Sequence, residues 1–292
     1  MLNSNYKKGR GFFYYIHYCD NHAPVNTKGD MLMAKRQEEY ERDMQRIRKL
    51  RLFDDDFMKK CFEEHNECTE LVLRIILNKS DLVVLDSKTE YVIQNLQGRS
   101  VRLDVKATDA EHKQYNIEVQ RADRGAGRKR ARHNSSMLDA NALNPSDDVN
   151  NLPETFVIFI TEHDVMGGGK PIYTVERKII EIDDFFEDGS HIIYVNGEYR
   201  GESDIGKLMH DFSCTTADDM YYNELADRVR YFKEDEKGVE HMCKILEDMV
   251  NEEKEEIAVR MLEDGLSEEK VAEYCKLELE AVKELNKNKV SR

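Results

Sequence analysis

Residues 115–121 read YNIEVQR, and the fold turns on how they are read. Tyr115, Ile117 and Val119 alternate with Asn116, Glu118 and Gln120, the period of a strand with one face buried and an acid on the other. Just upstream, SVRLDVKAT (100–108) sets Val101, Leu103, Val105 and Ala107 against Arg102, Asp104, Lys106 and Thr108. The turn formers of TDAEHK (108–113) separate the two, so a hairpin about Glu111 is expected. In that register Asp104 faces Glu118 and Arg102 faces Gln120, with paired Cβ atoms about 5 Å apart. Two carboxylates across a ladder repel, and a divalent cation between them would offset the repulsion. A shifted register, with each acid paired to a surface Arg or Lys, is the competing arrangement.

Working outward, the period of two extends back through LVVLDS (82–87) and YVIQNL (91–96), giving a β-meander. Before it, DDDFMKKCFEEHNECTELVLRIIL (54–77) offers Asp caps, Phe57 and Cys61 at helical spacing, and a second start at Asn66, hence one or two packed helices. After YNIEVQR a helix is expected over roughly 123–143. TFVIFIT (155–161) is continuously apolar and suits a central strand buried on both faces. IYTVERKI and HIIYVNG read as further strands, and everything beyond about residue 216 reads helical. The fold class is therefore α/β: a mixed sheet flanked by helices, with a helical C-terminal region. Three segments follow: a poorly ordered or helical extension over 1–50, with residues 1–33 the poorly ordered part, a core over 51–215, and an acidic helical region over 216–292.

The 292 residues are 40% hydrophobic, enough for a sizeable core. No apolar run reaches the length needed to cross a bilayer, and the N-terminus makes a poor signal peptide, so no membrane partner and a cytoplasmic location are expected. Six scattered cysteines show no metal-ligand or disulfide spacing and read as reduced core thiols. The net charge of −15 argues on average against nucleic acid. The average conceals a sharp division. Residues 234–284 hold 18 Asp or Glu against 7 Lys or Arg, a net of −11, whereas RADRGAGRKRAR (121–132) holds six basic side chains and one acid. Arg128, Lys129, Arg130 and Arg132 open a helix directly behind the Glu118 strand, placed to hold a phosphate backbone; the competing arrangement is a solvated basic face.

Asp104, thirteen intervening residues, then Glu118-Val119-Gln120 resembles the D…(D/E)-x-K signature of the PD-(D/E)XK nuclease superfamily. The similarity is closest to its PD-(D/E)XK nuclease family transposases, the Rpn-type recombination-promoting nucleases. DDDFMKKCFEE, ELVLRIIL, GRSVRLDV, KRARHNSSMLDA, LPETFVIFITEHDV, PIYTVER and IIYVNG support it over roughly residues 50–250. The resemblance implies a restriction-endonuclease-like core and a metal-dependent endodeoxyribonuclease using Mg2+, or Mn2+, on DNA. It implies Asp104 and Glu118 as metal ligands and Gln120 at the third catalytic position, where Gln cannot supply the charge of the usual lysine. Arg102 or Lys106 is expected to bring that charge to the scissile phosphate and to contact DNA. The acid that the superfamily carries on a preceding helix falls on Glu70, with Glu67 second; pairing of Glu70 with Arg74 at i, i+4 is the alternative. His133 and Asn134 stand where related proteins carry paired aromatics. A nuclease fold that binds nucleic acid or protein without cutting is the second functional expectation.

GGGKP (167–171) lacks a phosphate-loop pattern and reads as a turn, and the His-Asp dipeptides at 163 and 210 read as structural. RMLEDGLSEEKVAEYCKLELEAVKEL (260–285) resembles a small helix-turn-helix too acidic for DNA, suited to packing or oligomerisation, a homodimer in the simplest case.

Overall fold

The computed structural model describes residues 27–95 and 98–290. The expectation of poor order over residues 1–33 therefore lies outside the described residues up to 26; from Thr27 the chain is helical, in α1 (Thr27–Lys49). The chain divides into two compact units, residues 48–231 and residues 1–47 with 232–292.

The first unit begins with α2 (Asp55–Phe62) and α3 (Asn66–Leu77). Two acids in the first turn of α2 and two lysines in its last suit the helix dipole. Asn78, in the left-handed region, stops α3. Three antiparallel strands follow: β1 (Val84–Ile93), β2 (Val101–Asp109) and β3 (Gln114–Gln120). Where separate strands were expected at 82–87 and 91–96, Val84–Ile93 is one ten-residue strand. Pairing with β2 continues through the polar residues between them, with an irregularity between Val84 and Asp86, and Glu90 has φ +52°.

A crossover through α4 (Arg128–Ala140) makes β4 (Thr155–Thr161) parallel to β3, as a parallel pair requires. All seven residues of β4 are buried. β8 (Ser190–Asn196) continues the parallel arrangement, and β5 (Ile172–Val175) closes the far edge antiparallel to it. The mixed sheet thus runs β1-β2-β3-β4-β8-β5. IYTVERKI divides into β5 and β6 (Lys178–Ile179), which pairs with β7 (Asp184–Phe185) in a separate ribbon. Helix α4 covers β4 and β8, burying Ala131, Met137 and Leu138 with Leu103, Val157, Phe159 and Tyr194. Helix α2 packs on β1 and β2, and α3 on β1 and on α5 (Asp204–Ser213). Gly197 sits where a Cβ would fall 2.3 Å from the Thr161 carbonyl and 2.5 Å from the Phe53 ring, so only glycine lets the ends of β4 and β8 meet there. Helix α6 (Asn223–Glu234) follows.

In the second unit α7 (Glu236–Glu263), α8 (Glu268–Cys275) and α9 (Leu279–Val290) bury Ala258, Leu262, Val271, Cys275 and Val282 in a small core of their own. Gly265, at φ +84°, ends α7, and the Ser267 hydroxyl caps α8 by accepting the Lys270 N–H. No helix among the described residues is long and apolar enough to cross a membrane.

Candidate active site

The β2–β3 ladder holds the register read from the sequence, from Thr108–Gln114 to Val105–Ile117. It is four pairs long, and the strands part at the acids. There the Asp104 carboxylate takes over as acceptor: its Oδ2 receives the Val119 backbone N–H at 3.1 Å. Asp104 and Glu118 are both buried, Glu118 completely. Glu118 Oε2 accepts from Arg130 at 2.6 Å, while Oε1 is buried without a hydrogen bond of good geometry.

A third carboxylate joins them from α2. Asp55 Oδ2 accepts from the Lys59 ammonium at 2.7 Å, and Asp55 Oδ1 is buried with no partner. The same ammonium lies 3.7 Å from Asp104 Oδ1 and 3.8 Å from Glu90 Oε1. One lysine, itself 7% exposed, thus stands among three acids from three elements. Sequence reading assigned Asp55 to helix capping and gave Lys59 no role. Their i, i+4 spacing was visible, but their approach to Asp104 depends on α2 docking on β1 and β2.

Burial first, then the negative charges of Glu118 and Asp55, push the Asp104 carboxyl up to about 7, against the pull of Lys59 and the Val119 N–H. Burial likewise raises Glu118, partly countered by Arg130. Lys59 stays above its ordinary value: burial opposes its charge, but the Asp55 hydrogen bond and the neighbouring acids together outweigh burial. Two like charges about 4 Å apart repel by about 4 kcal/mol at an effective dielectric of 20. The cluster therefore favours a cation, and carboxylate oxygens are the hard donors that Mg2+ or Mn2+ takes. Hard carboxylate donors suit such an ion in kind; among the described residues the three potential ligands whose donor atoms all lie within 4.8 Å of one another are His210, Asp211 and Cys214, not these acids.

The other expected residues are placed differently. Glu70 does not join the cluster: Oε2 accepts the Val84 N–H at 2.9 Å and Oε1 pairs with Arg74 at 2.7 Å, so it ties α3 to the start of β1. Glu67 is exposed and pairs with His65. Arg102 does not face Gln120, because the ladder has ended; it is opposite Val92, exposed, 3.8 Å from Glu90. The Lys106 ammonium sits 4.6 Å from the centroid of the Tyr91 ring, in a hollow shared with Gln114, Leu138 and Asn141. Leu103 also packs against Leu138, so the strict alternation read for β2 fails across Asp104. The Gln120 amide lies against Gly125, where a Cβ would fall 1.7 Å from its oxygen.

Arg128, Lys129, Arg130 and Arg132 are all exposed on the first turns of α4, and Arg130 reaches back to Glu118. Asn134 is buried with its Nδ2 unpartnered, as is Nε2 of His133. Arg121, at the head of the basic run, is committed elsewhere, to Asp54 at 2.7 Å and Glu162 at 3.2 Å.

The discounted motifs are structural. Asp164 accepts N–H groups of Met166, Gly167 and Gly169 and the Tyr173 hydroxyl, which shapes the glycine turn. His210, Asp211 and Cys214 cluster at the end of α5, yet both Asp211 oxygens accept the N–H groups of Tyr221 and Tyr222 and tie down the segment that follows.

Two strand acids thus part at the end of a hairpin within a mixed sheet. The family model of the PD-(D/E)XK nuclease family transposases matches residues 70–263, about two thirds of the chain, and the chain belongs to that family. No curated protein and no solved structure matches it. Membership supports a nuclease-type function, and nucleases of this class generally use divalent metal ions. The homodimer gains no support.

Proposed function

We propose that this chain is an endonuclease that hydrolyses DNA phosphodiester bonds in the cytoplasm, in a transposition- or recombination-associated role, with Mg2+ as its ion and Mn2+ as a substitute. The observation that carries the reading is the burial of Asp104 and Glu118 where the two strands part, with Asp55 and Lys59 beside Asp104. Asp104, Glu118 and Asp55 would hold the ion. A bound divalent ion would make its water a better nucleophile and offset charge on the phosphate.

The protein's own residues do the rest. Asp104 is fixed by the Val119 N–H, and Glu118 by Arg130, so neither needs to reorient on binding. Arg128, Lys129 and Arg132, exposed beside them, hold the DNA backbone as cations without reading sequence. Gln120 offers a neutral amide that orients a water by hydrogen bonding.

Gln120 also favours a second reading, a nuclease fold that binds nucleic acid without cutting. Incubating supercoiled plasmid with the full chain and Mg2+ or Mn2+, against Asp104→Ala, separates the two. Nicking by the wild type, lost in the variant and in EDTA, is expected. Equal DNA binding by both proteins with no nicking by either would establish the binding module instead.

A further inference from the structure

The D…E-x-Q arrangement leaves one chemical requirement unmet. In hydrolysis a water oxygen bonds to phosphorus while the bond from phosphorus to the leaving ester oxygen breaks, its electron pair staying on that oxygen. Solvent takes the proton lost by the water and returns one to the leaving oxygen. Between those events the non-bridging oxygens carry extra negative charge, and a fixed cation beside them lowers the barrier. The neutral amide of Gln120 cannot be that cation.

Each basic side chain near the acids can be judged on its position. Arg102 is two-thirds exposed and reaches only Glu90, at 3.8 Å. Lys106 lies over the face of Tyr91. Arg130 is bonded to Glu118 and is 42% exposed on the α4 side. Lys59 alone of these four touches Asp55 and Asp104 together, from the α2 side. It also lies outside the residues that match the family.

Resting on the nuclease reading above, we propose that Lys59 is the catalytic cation of this site, brought from α2 to do the work that a lysine at position 120 would do. Burying an ammonium is costly unless charges pair with it, and here Asp55, Asp104 and Glu90 do. The charges also balance. Asp55, Glu90, Asp104 and Glu118 carry four negative charges, and the Lys59 ammonium, the Arg130 guanidinium and one divalent ion cancel them. An incoming phosphodiester then meets a cluster whose charges are balanced. Lys59 acts as a permanent charge and transfers no proton.

The test measures plasmid nicking with Mg2+ and with Mn2+ by the full chain carrying Lys59→Met, Lys59→Arg, Gln120→Lys, or Lys59→Met with Gln120→Lys. Lys59→Met should slow nicking by about 100-fold or more. Lys59→Arg should retain a substantial rate, and lysine at 120 should restore at least about tenfold to Lys59→Met. A merely structural role would give no such rescue. Wild-type nicking by Lys59→Met would overturn the proposal, as would a loss that neither arginine at 59 nor lysine at 120 relieves. If Lys59→Met alone does not fold, the double variant decides: folded and cutting supports the proposal, folded and inert overturns it. The Asp104→Ala control separates this from the wider reading. Nicking that needs Asp104 but not Lys59 sinks only the lysine's role; no nicking by the wild type sinks both.

Discussion

Two regions of this protein are rich in acids, and they behave in opposite ways. In the last helices Glu269 and Glu280 lie at the surface, and their carboxyls sit below the usual range. Glu269 is lowered by backbone N–H and Ser267 hydrogen bonds at the start of α8, Glu280 by Lys283 at 2.7 Å. At the fork between β2 and β3, burial holds Asp104 and Glu118 above it. Water and local partners satisfy the first set. The second set is withdrawn from water, and Asp104 and Glu118 lean on a backbone N–H and on Arg130 instead. Counting acids points to residues 234–284; burial points instead to Asp104 and Glu118 on β2 and β3, where the function proposed above is assigned.

The largest expected effect that would test this contrast is on cutting. Glu118→Gln keeps the shape but weakens the donor, and nicking should fall by at least about 100-fold. Neutralising Glu269 and Glu280 together should leave the rate within about twofold. A comparable loss from the surface pair would break the comparison.

Next is DNA binding. Replacing Arg128, Lys129 and Arg132 by Ala should reduce the slope of log affinity against log salt by about one for each phosphate-binding cation removed. Fluorescence anisotropy over a salt series reads this, and an unchanged slope would return these residues to a solvated face.

The smallest effect is on stability against pH. The Asp104 carboxyl moves from 3.8 to about 7 on folding, so without metal the folded chain holds a proton that the unfolded chain has released. Its contribution to stability is full below the ordinary value and disappears as pH rises through about 7. The melting temperature of the EDTA-treated protein should therefore fall across that window, and Asp104→Asn should flatten the fall. Glu269 and Glu280 work with the opposite sign, since their folded carboxyls are lowered. A melting temperature that is flat for the wild type and sloped for Asp104→Asn would reverse the assignment.

Much of the fold was legible because period and burial speak locally. The run at 155–161 is buried at every position, as its lack of alternation implies. The hairpin register followed from two alternating segments and one turn. What escaped depends on packing between distant segments. Glu70 is an acid on the right kind of helix, and its i, i+4 pair with Arg74 could be foreseen. Its bond to the Val84 N–H could not, because that needs the position of β1 against α3. Asp55 and Lys59 looked like an ordinary helix start for the same reason. Strict alternation placed Lys106 with Asp104, whereas in the fold its ammonium lies over the Tyr91 ring.

Beyond the last β2–β3 pair, the amide of Val119 donates to a side chain where a neighbouring strand's carbonyl would ordinarily stand. Its proton senses the charge on Asp104 more directly than any other main-chain group named here. In a nitrogen-labelled sample that single resonance becomes an indicator within the fold, moving when the carboxylate gains a proton or an ion and staying still when events elsewhere leave it alone.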